Sequence, residues 1–366
     1  MTEREAWLAL NAAELPPRTL LELLDQYGSP VALASASPSA AQSAARLSPT
    51  ETARFAEAQQ RDYRAPLRKL GELDCRIVSI RDDDYPANLR QIYDPPAMLF
   101  VRGSVLASDE RAIAIVGTRR VTPYGRLVSE TLGRDLAAHG VTVVSGLAVG
   151  ADAAAHRGAL TAGGRTIGVL ACGIDVAYPR DTMELREQAV SRGAVMSEVP
   201  LGTPARAARF RARNRLISGL ALGVVVTEAP ERSGALITAN LAGGQGRQVF
   251  AVPGSINSEF SRGTHALLRD GARLVESVED ILDEVALPAP AVQSDTEQAE
   301  AQAAQPSDLT AEERTILDAL SLQQRHVDEV IEECRLAAPR ASAGLLMLEL
   351  KGLVRRLPGN MFMRVR

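Results

Sequence analysis

Six short runs of β-branched and aliphatic residues, with helical stretches between them, constrain this chain more than any other feature. They are Ile113 to Val116, Val141 to Val144, Thr166 to Leu170, Val195 to Ser197, Val224 to Thr227 and Val249 to Val252. Uninterrupted runs of this kind suit strands buried on both faces of a parallel sheet, with helices covering each side. The fold class is therefore α/β with a mostly parallel sheet. Two of the runs stop at glycine. One enters Gly117-Thr118-Arg119-Arg120, and the other enters Ser145-Gly146-Leu147-Ala148-Val149-Gly150-Ala151-Asp152. In an open parallel sheet the loops past the carboxyl strand ends form the ligand crevice, and the amides of the next helix start favour anions. Phosphate is the expected ligand group.

Around this core the 366 residues leave room for further domains. Residues 1–70 show helical spacing (Leu20, Leu23, Leu24, Tyr27) broken by prolines, with a helix start at Ser48-Pro49-Thr50-Glu51, and suggest a small helical domain. Cys75 to Ile80 and Met98 to Val101 are short strands ahead of the main alternation, so the sheet domain is expected over residues 71–286. Residues 287–306 are rich in Ala and Gln with prolines at each end, the composition of a solvated linker. Residues 307–366 then offer three helices and a hairpin at Val354 to Phe362, which suggests a winged helix. Its nine Arg or Lys balance nine Asp or Glu, and its third helix carries little positive charge beyond Arg340 and Lys351, so protein contact competes there with DNA binding.

A net charge of −4 excludes a generally basic nucleic-acid coat, so any anion site must come from local clustering. Such a cluster runs from Arg206 through Arg209, Phe210, Arg211, Arg213 and Asn214 to Arg215, with no acidic residue between Pro200 and Leu222. Guanidinium groups that hold phosphates beside a ring that stacks on a base suit a single strand. A solvated basic helix anchored by a buried Phe210, with Arg213 or Arg215 in internal ion pairs, is the plainer alternative. Ser233-Gly234 opens another helix and can approach a phosphate.

Several common chemistries lack their signatures. No GxGxxG fingerprint follows the first strand, and the only lysines, Lys69 and Lys351, fall outside any P-loop. Asp152 and His156 share a helix face, yet helix capping and an ordinary hydrogen bond account for them without catalysis or metal binding. Cys75, Cys172 and Cys334 form neither a CxxC motif nor an even set, and no apolar run reaches membrane-spanning length. The expected location is cytoplasmic, with no cofactor and no membrane partner.

The ordered series IVGTR, SGLAVGADAAAH, VLACGIDVAYP, SEVP, RNRLISGL, VVVTEAPERSGALITA and VPG closely resembles the DNA-processing protein A (DprA, or Smf) family of bacterial natural transformation. The resemblance covers Asp84 to about Leu282. It implies an extended Rossmann-like domain that binds single-stranded DNA, a helical N-terminal domain similar to a sterile alpha motif, and a C-terminal winged helix. Implied as well are a homodimer, protection of incoming DNA, loading of RecA recombinase and a further partner in single-strand-binding protein, with no catalytic step. Mapped onto this chain, the DNA site comprises Gly117, Thr118, Arg119, Ser145, Gly146, Arg209, Phe210, Arg211, Arg213, Asn214, Arg215, Ser233 and Gly234. In that reading Arg119 holds a phosphate, Gly117 and Gly146 donate amides, Phe210 stacks, and Arg211, Arg213 and Arg215 widen the positive track. Arg211 departs from the family's frequent Phe-Pro, and His265 or Thr264 stands where an asparagine is often found. The rival reading is a nucleotide-binding or nucleotide-hydrolysing enzyme related to phosphoribohydrolases, with Glu228 as its carboxylate, although the PGGxGT loop of such proteins is missing.

Overall fold

The computed structural model describes residues 1–285, 309–321, 324–351, 353–357 and 360–364. The chain separates into two compact units, Met1–Arg120 with Ser129–Pro288, and Val121–Val128 with Ala289–Arg366. The first begins with six helices: α1 (Glu3–Ala12), α2 (Pro17–Tyr27), α3 (Pro30–Ala34), α4 (Pro38–Ala45), α5 (Pro49–Gln60) and α6 (Arg64–Glu72). Four of them start on proline, whose missing N–H costs nothing at the first helical position. Ser29, Ser37 and Ser48 cap three of these starts through their hydroxyl oxygens. At Ser48 the Glu51 carboxylate accepts the Ser48 N–H in return at 2.8 Å, closing a capping box where the sequence places a helix start.

Next come β1 (Cys75–Ser79), α7 (Ala87–Arg90), β2 (Met98–Gly103), β3 (Ala112–Val116), α8 (Pro123–Ala138), β4 (Thr142–Ser145), α9 (Ala151–Thr161), β5 (Thr166–Leu170) and α10 (Met183–Arg192). They are followed by β6 (Ala194–Ser197), α11 (Ala207–Leu220), β7 (Gly223–Val226), α12 (Gly234–Gly244), β8 (Gln248–Ala251), α13 (Arg262–Arg269), β9 (Arg273–Leu274) and α14 (Glu279–Glu284). The nine strands form one sheet in the order β1-β2-β6-β5-β4-β3-β7-β8-β9. Strands β3 to β9 pair in parallel, while β2 runs antiparallel to both β1 and β6. The two early strands thus extend the sheet at one edge. From β3 the chain winds outward through β4, β5 and β6, then returns along α11 to β7 on the other side of β3. The winding direction reverses there, which makes the carboxyl ends of β3 and β7 the switch point where open α/β sheets bind ligands.

Strands β3 to β7 are buried along their whole length, which explains their unbroken apolar runs. Alternate residues face two cores. In β2, Met98 and Phe100 join one core, and Leu99 and Val101 the other. The first core also takes in Trp7, Leu10, Leu23, Leu33 and Phe55 from the helical segment, together with Leu170, Cys172 and Val195. Residues 1–70, expected as a separate domain, therefore share a core with the sheet and belong to the same compact unit. Each fully buried Leu or Phe contributes roughly 1.5–3 kcal/mol, so neither partner can leave without exposing that surface.

The C-terminal unit contains α15 (Ala311–Asp318), β10 (Arg325–His326), α16 (Val327–Cys334), α17 (Ala338–Leu350), β11 (Val354–Leu357) and β12 (Met361–Arg364). Three helices and a small sheet of order β10-β12-β11 make a winged helix. Two cations expected on its third helix are engaged internally. Lys351 donates to both oxygens of Glu313 at 2.8 and 2.9 Å, and Arg340 donates to Glu312 at 3.1 Å. The linker of residues 287–306 and the Pro358-Gly359 turn lie outside the described residues. Among those described, no helix is long and apolar enough to cross a membrane.

Trp7 is the chain's single tryptophan and lies in the shared core. Urea unfolding followed by Trp7 fluorescence should therefore coincide with the main far-ultraviolet circular dichroism transition. Ile115→Ala, which empties a fully buried β3 position, should lower both midpoints together by about 2–5 kcal/mol of stability. An earlier, separate fluorescence transition would contradict the shared core.

Candidate nucleic-acid interface

The switch-point crevice is built from the loops after β3, β4 and β7 and from the faces of α11 and α12. A cavity of about 380 Å³ is lined by Gly117, Thr118, Arg119, Arg120, Phe210, Arg213, Asn214, Arg232, Ser233 and Gly234, among others. Its lining includes four arginines against one carboxylate, Asp152. The turn after β3 is fixed from within: Thr118 N–H donates to the Glu228 carbonyl at 2.8 Å, and Arg120 N–H to Thr118 Oγ1 at 3.2 Å. That leaves the Arg119 and Arg120 side chains exposed at the rim. The Arg119 guanidinium lies 4.4 Å from the Phe210 ring centroid, a cation–π contact, and Arg213 lies 6.0 Å from the same centroid. Tyr178, 37% exposed, tilts at 54° to Phe210 with centroids 5.9 Å apart. Arg119, Gly146, Tyr178 and Phe210 share a small apolar notch beside the main cavity.

Beneath this rim a buried polar knot sets the backbone. Arg213 is 6% exposed and donates to the Gly146 carbonyl at 3.0 Å and to the Val169 carbonyl. Burial lowers its pKa to about 10, so the guanidinium stays charged at neutral pH. Asp152 accepts the Gly146 N–H at 3.1 Å; burial raises its pKa, opposed by the nearby Arg213 charge. A Cβ on residue 146 would sit 2.5 Å from the Arg213 guanidinium and 2.7 Å from Asp152, so only glycine fits between them.

Several expected contacts are corrected by this geometry. The Gly146 amide is taken by Asp152 and is not offered to a phosphate. Gly117 stays in the cavity lining, and because a Cβ there would meet Ala151 Cβ at 2.6 Å, its small size also serves the approach of α9 to the strand end. Ser145 is fully buried, and its hydroxyl donates to the Ile115 carbonyl at 2.6 Å, tying β4 to β3 instead of facing the crevice. Arg213 supports Phe210 and the Gly146 turn from below and does not widen an exposed track. Arg215 points inward to Glu198 and to Asp94, whose carboxylate is 3.3 Å away, because the second half of α11 is enclosed by the rest of the unit. Arg211 is exposed on α11 but outside the cavity lining, and Arg209 is paired with Glu14 at 2.9 Å.

Other expected residues do converge. Asn214 Nδ2 donates to the Gly234 carbonyl at 3.4 Å, bringing α11 and α12 together, and Ser233 caps α12 by accepting Ala235 N–H at 3.2 Å. A Cβ at Gly234 would meet nothing within 4 Å, so the bare backbone there leaves room for a ligand rather than for the protein's own packing. Arg120, Arg232 and Tyr178 complete the rim. Arg232 and Tyr178 stand inside the family-like motif strings and Arg120 directly follows one of them, all outside the basic stripe of α11. Glu228, the carboxylate of the hydrolase reading, is buried and is absent from the crevice lining. His156 is fully buried on α9 with Nδ1 hydrogen-bonded to Thr166 Oγ1 at 2.6 Å. Among the described residues, no cluster of His, Cys, Asp and Glu is arranged to hold a metal.

Fold and crevice together define a Rossmann-like α/β protein with a basic, aromatic-bearing pocket at its switch point. Residues 76–286 match the family described as DNA recombination-mediator protein A, and residues 299–360 match the DprA winged helix domain. The chain belongs to the DprA/Smf family. It is 44% identical to the DNA processing protein DprA of Bacillus subtilis over 58% of this chain and 72% of that protein. The X-ray structure of DprA from Streptococcus pneumoniae is similar with a TM-score of 0.69 at 36% identity, covering 78% of this chain and 98% of that one. A structure of DNA processing protein A from Helicobacter pylori, described for its single-stranded DNA binding mode, matches with a TM-score of 0.52 at 30% identity. That match covers 58% of this chain and 96% of the other.

Burial lowers the His156 pKa from 6.5 to about 3, so the folded protein keeps this ring neutral where the unfolded chain protonates it. Its contribution to stability is complete above about pH 6.5 and is lost as the pH falls toward 3. The slope approaches about 1.4 kcal/mol per pH unit. Chemical denaturation between pH 7.5 and 4.5 should show a shallower fall for His156→Gln than for the parent; identical slopes would contradict the burial argument.

Proposed function

We propose that this protein is a cytoplasmic, homodimeric single-stranded DNA-binding recombination mediator. In this reading it protects incoming DNA and loads RecA recombinase during natural transformation, with single-strand-binding protein as a further partner and no catalytic step. The observation that carries the reading is the Arg119 guanidinium held over the Phe210 ring at the mouth of a crevice lined by four arginines. A backbone phosphate draws Arg119 off the ring, and the uncovered face then takes a base. The ring accepts any base because each offers a π-face, so sequence preference is weak. Arg120 and Arg232 flank the path and add phosphate contacts, while Tyr178 borders the stacked base. Family membership supports the extension to transformation, recombinase loading and dimer formation.

Three rim arginines acting on phosphates predict that the logarithm of the oligo-dT binding constant falls against log salt with a slope of about −2. In fluorescence anisotropy, Arg119→Ala should weaken oligo-dT binding about tenfold and flatten the slope by about 0.7. Phe210→Ala should cost about tenfold to a hundredfold, the value of one stacked base, while leaving the slope nearly unchanged. Equal affinity for a matching duplex, or no loss in either variant, would refute the pocket as the binding site.

A further inference from the structure

One arginine of the α11 stripe is already engaged by an anion. In the turn after α1, Glu14 places one carboxylate oxygen 2.9 Å from Arg209 on the first turn of α11 and the other 4.0 Å from Arg54 on α5. The two arginines come from different elements and converge on the same group, one at each oxygen. Glu14 itself is exposed, but its backbone is held: φ is 45°, the flanking Ala13 and Leu15 are buried, and the Asn11 side chain donates to the Glu198 carbonyl at 2.7 Å. The end of α1 is thereby pinned against the loop that leads into α11. Arg209 also immediately precedes Phe210, the ring already assigned to base stacking.

Resting on the single-strand reading of the crevice, we infer that the Glu14 carboxylate occupies a phosphate seat formed by Arg209 and Arg54, next to the base stacked on Phe210. The bound strand places a backbone phosphate there and displaces Glu14, so the path runs out of the crevice onto the helical segment. Glu14 then acts as an internal competitor that lowers affinity. Because Arg209 is neutralised by protein and not by salt ions, its phosphate contact releases few counterions in the parent chain.

The test is the anisotropy salt series with labelled oligo-dT on the full chain, using the parent, Glu14→Gln, Arg209→Ala and the double variant. Glu14→Gln should tighten binding about two- to fivefold at low salt, the value of an exposed ion pair. It should also steepen the salt slope by about 0.7, one added counterion-releasing contact. In the Arg209→Ala background the same substitution should change neither quantity. Unchanged curves for Glu14→Gln would overturn the inference, as would a gain that persists without Arg209, since that would reflect only the loss of one negative charge. Those outcomes leave the crevice reading standing if the parent binds oligo-dT with the expected salt dependence. A parent that does not bind oligo-dT would overturn that reading and the inference with it.

Discussion

A buried guanidinium holds the crevice in shape. Arg213 lies under Phe210, donates to the carbonyls of Gly146 and Val169, and faces Asp152 across the one residue that lacks a side chain. Removing such a charge from water costs several kcal/mol unless its donors are satisfied and a counter-charge stands close. The strand ends of β4 and β5 present carbonyls to the Arg213 guanidinium, and Asp152 reaches toward the same turn from the first turn of α9. The knot joins the β4–α9 connection and the end of β5 to the helix that carries the ring. Shape at the rim follows from charge in the interior.

The arginines of α11 divide by their position along the helix. Arg209 and Arg211 lie in its first turns, before the rest of the unit encloses it, and keep access to solvent or to an exposed partner. Arg213 and Arg215 lie where the helix is surrounded, and each is met by acceptors: the Gly146 and Val169 carbonyls for one, Glu198 and Asp94 for the other. One stripe of similar residues thus serves two purposes. The inner members fix the helix and the ring, and Arg209 borders the path that a strand would take.

Much of this was legible from the chain alone. Apolar runs fully buried in a parallel sheet read clearly because both faces impose the same composition, and glycine at the ends of β3 and β4 located the crevice. The fate of individual side chains was harder to read. Arg215 meets Asp94, which is 121 residues away in sequence, and no local pattern reports that pairing. Ser145 looked like a crevice hydroxyl, but the inward pleat at the end of β4 sends it to Ile115. Gly146 looked like an amide donor because glycine in a βα turn so often marks an anion site; here its lack of a side chain makes space for Arg213 and Asp152. The helical segment looked separable since prolines punctuate it, whereas its buried face becomes visible only once β2, β5 and β6 are side by side. Tyr178 and Arg232 sit in loops far from the arginine stripe, and only the folded sheet brings them to one rim.

In the proposed binding mode a nucleobase lies against Phe210 with its phosphate at Arg119. Photo-crosslinking with an oligonucleotide carrying 5-iododeoxyuridine, followed by peptide mapping of the full-length protein, addresses it directly. The account predicts adducts on Phe210 or the adjoining Tyr178. Adducts confined to the C-terminal winged helix, or to the opposite ends of the strands, would contradict it.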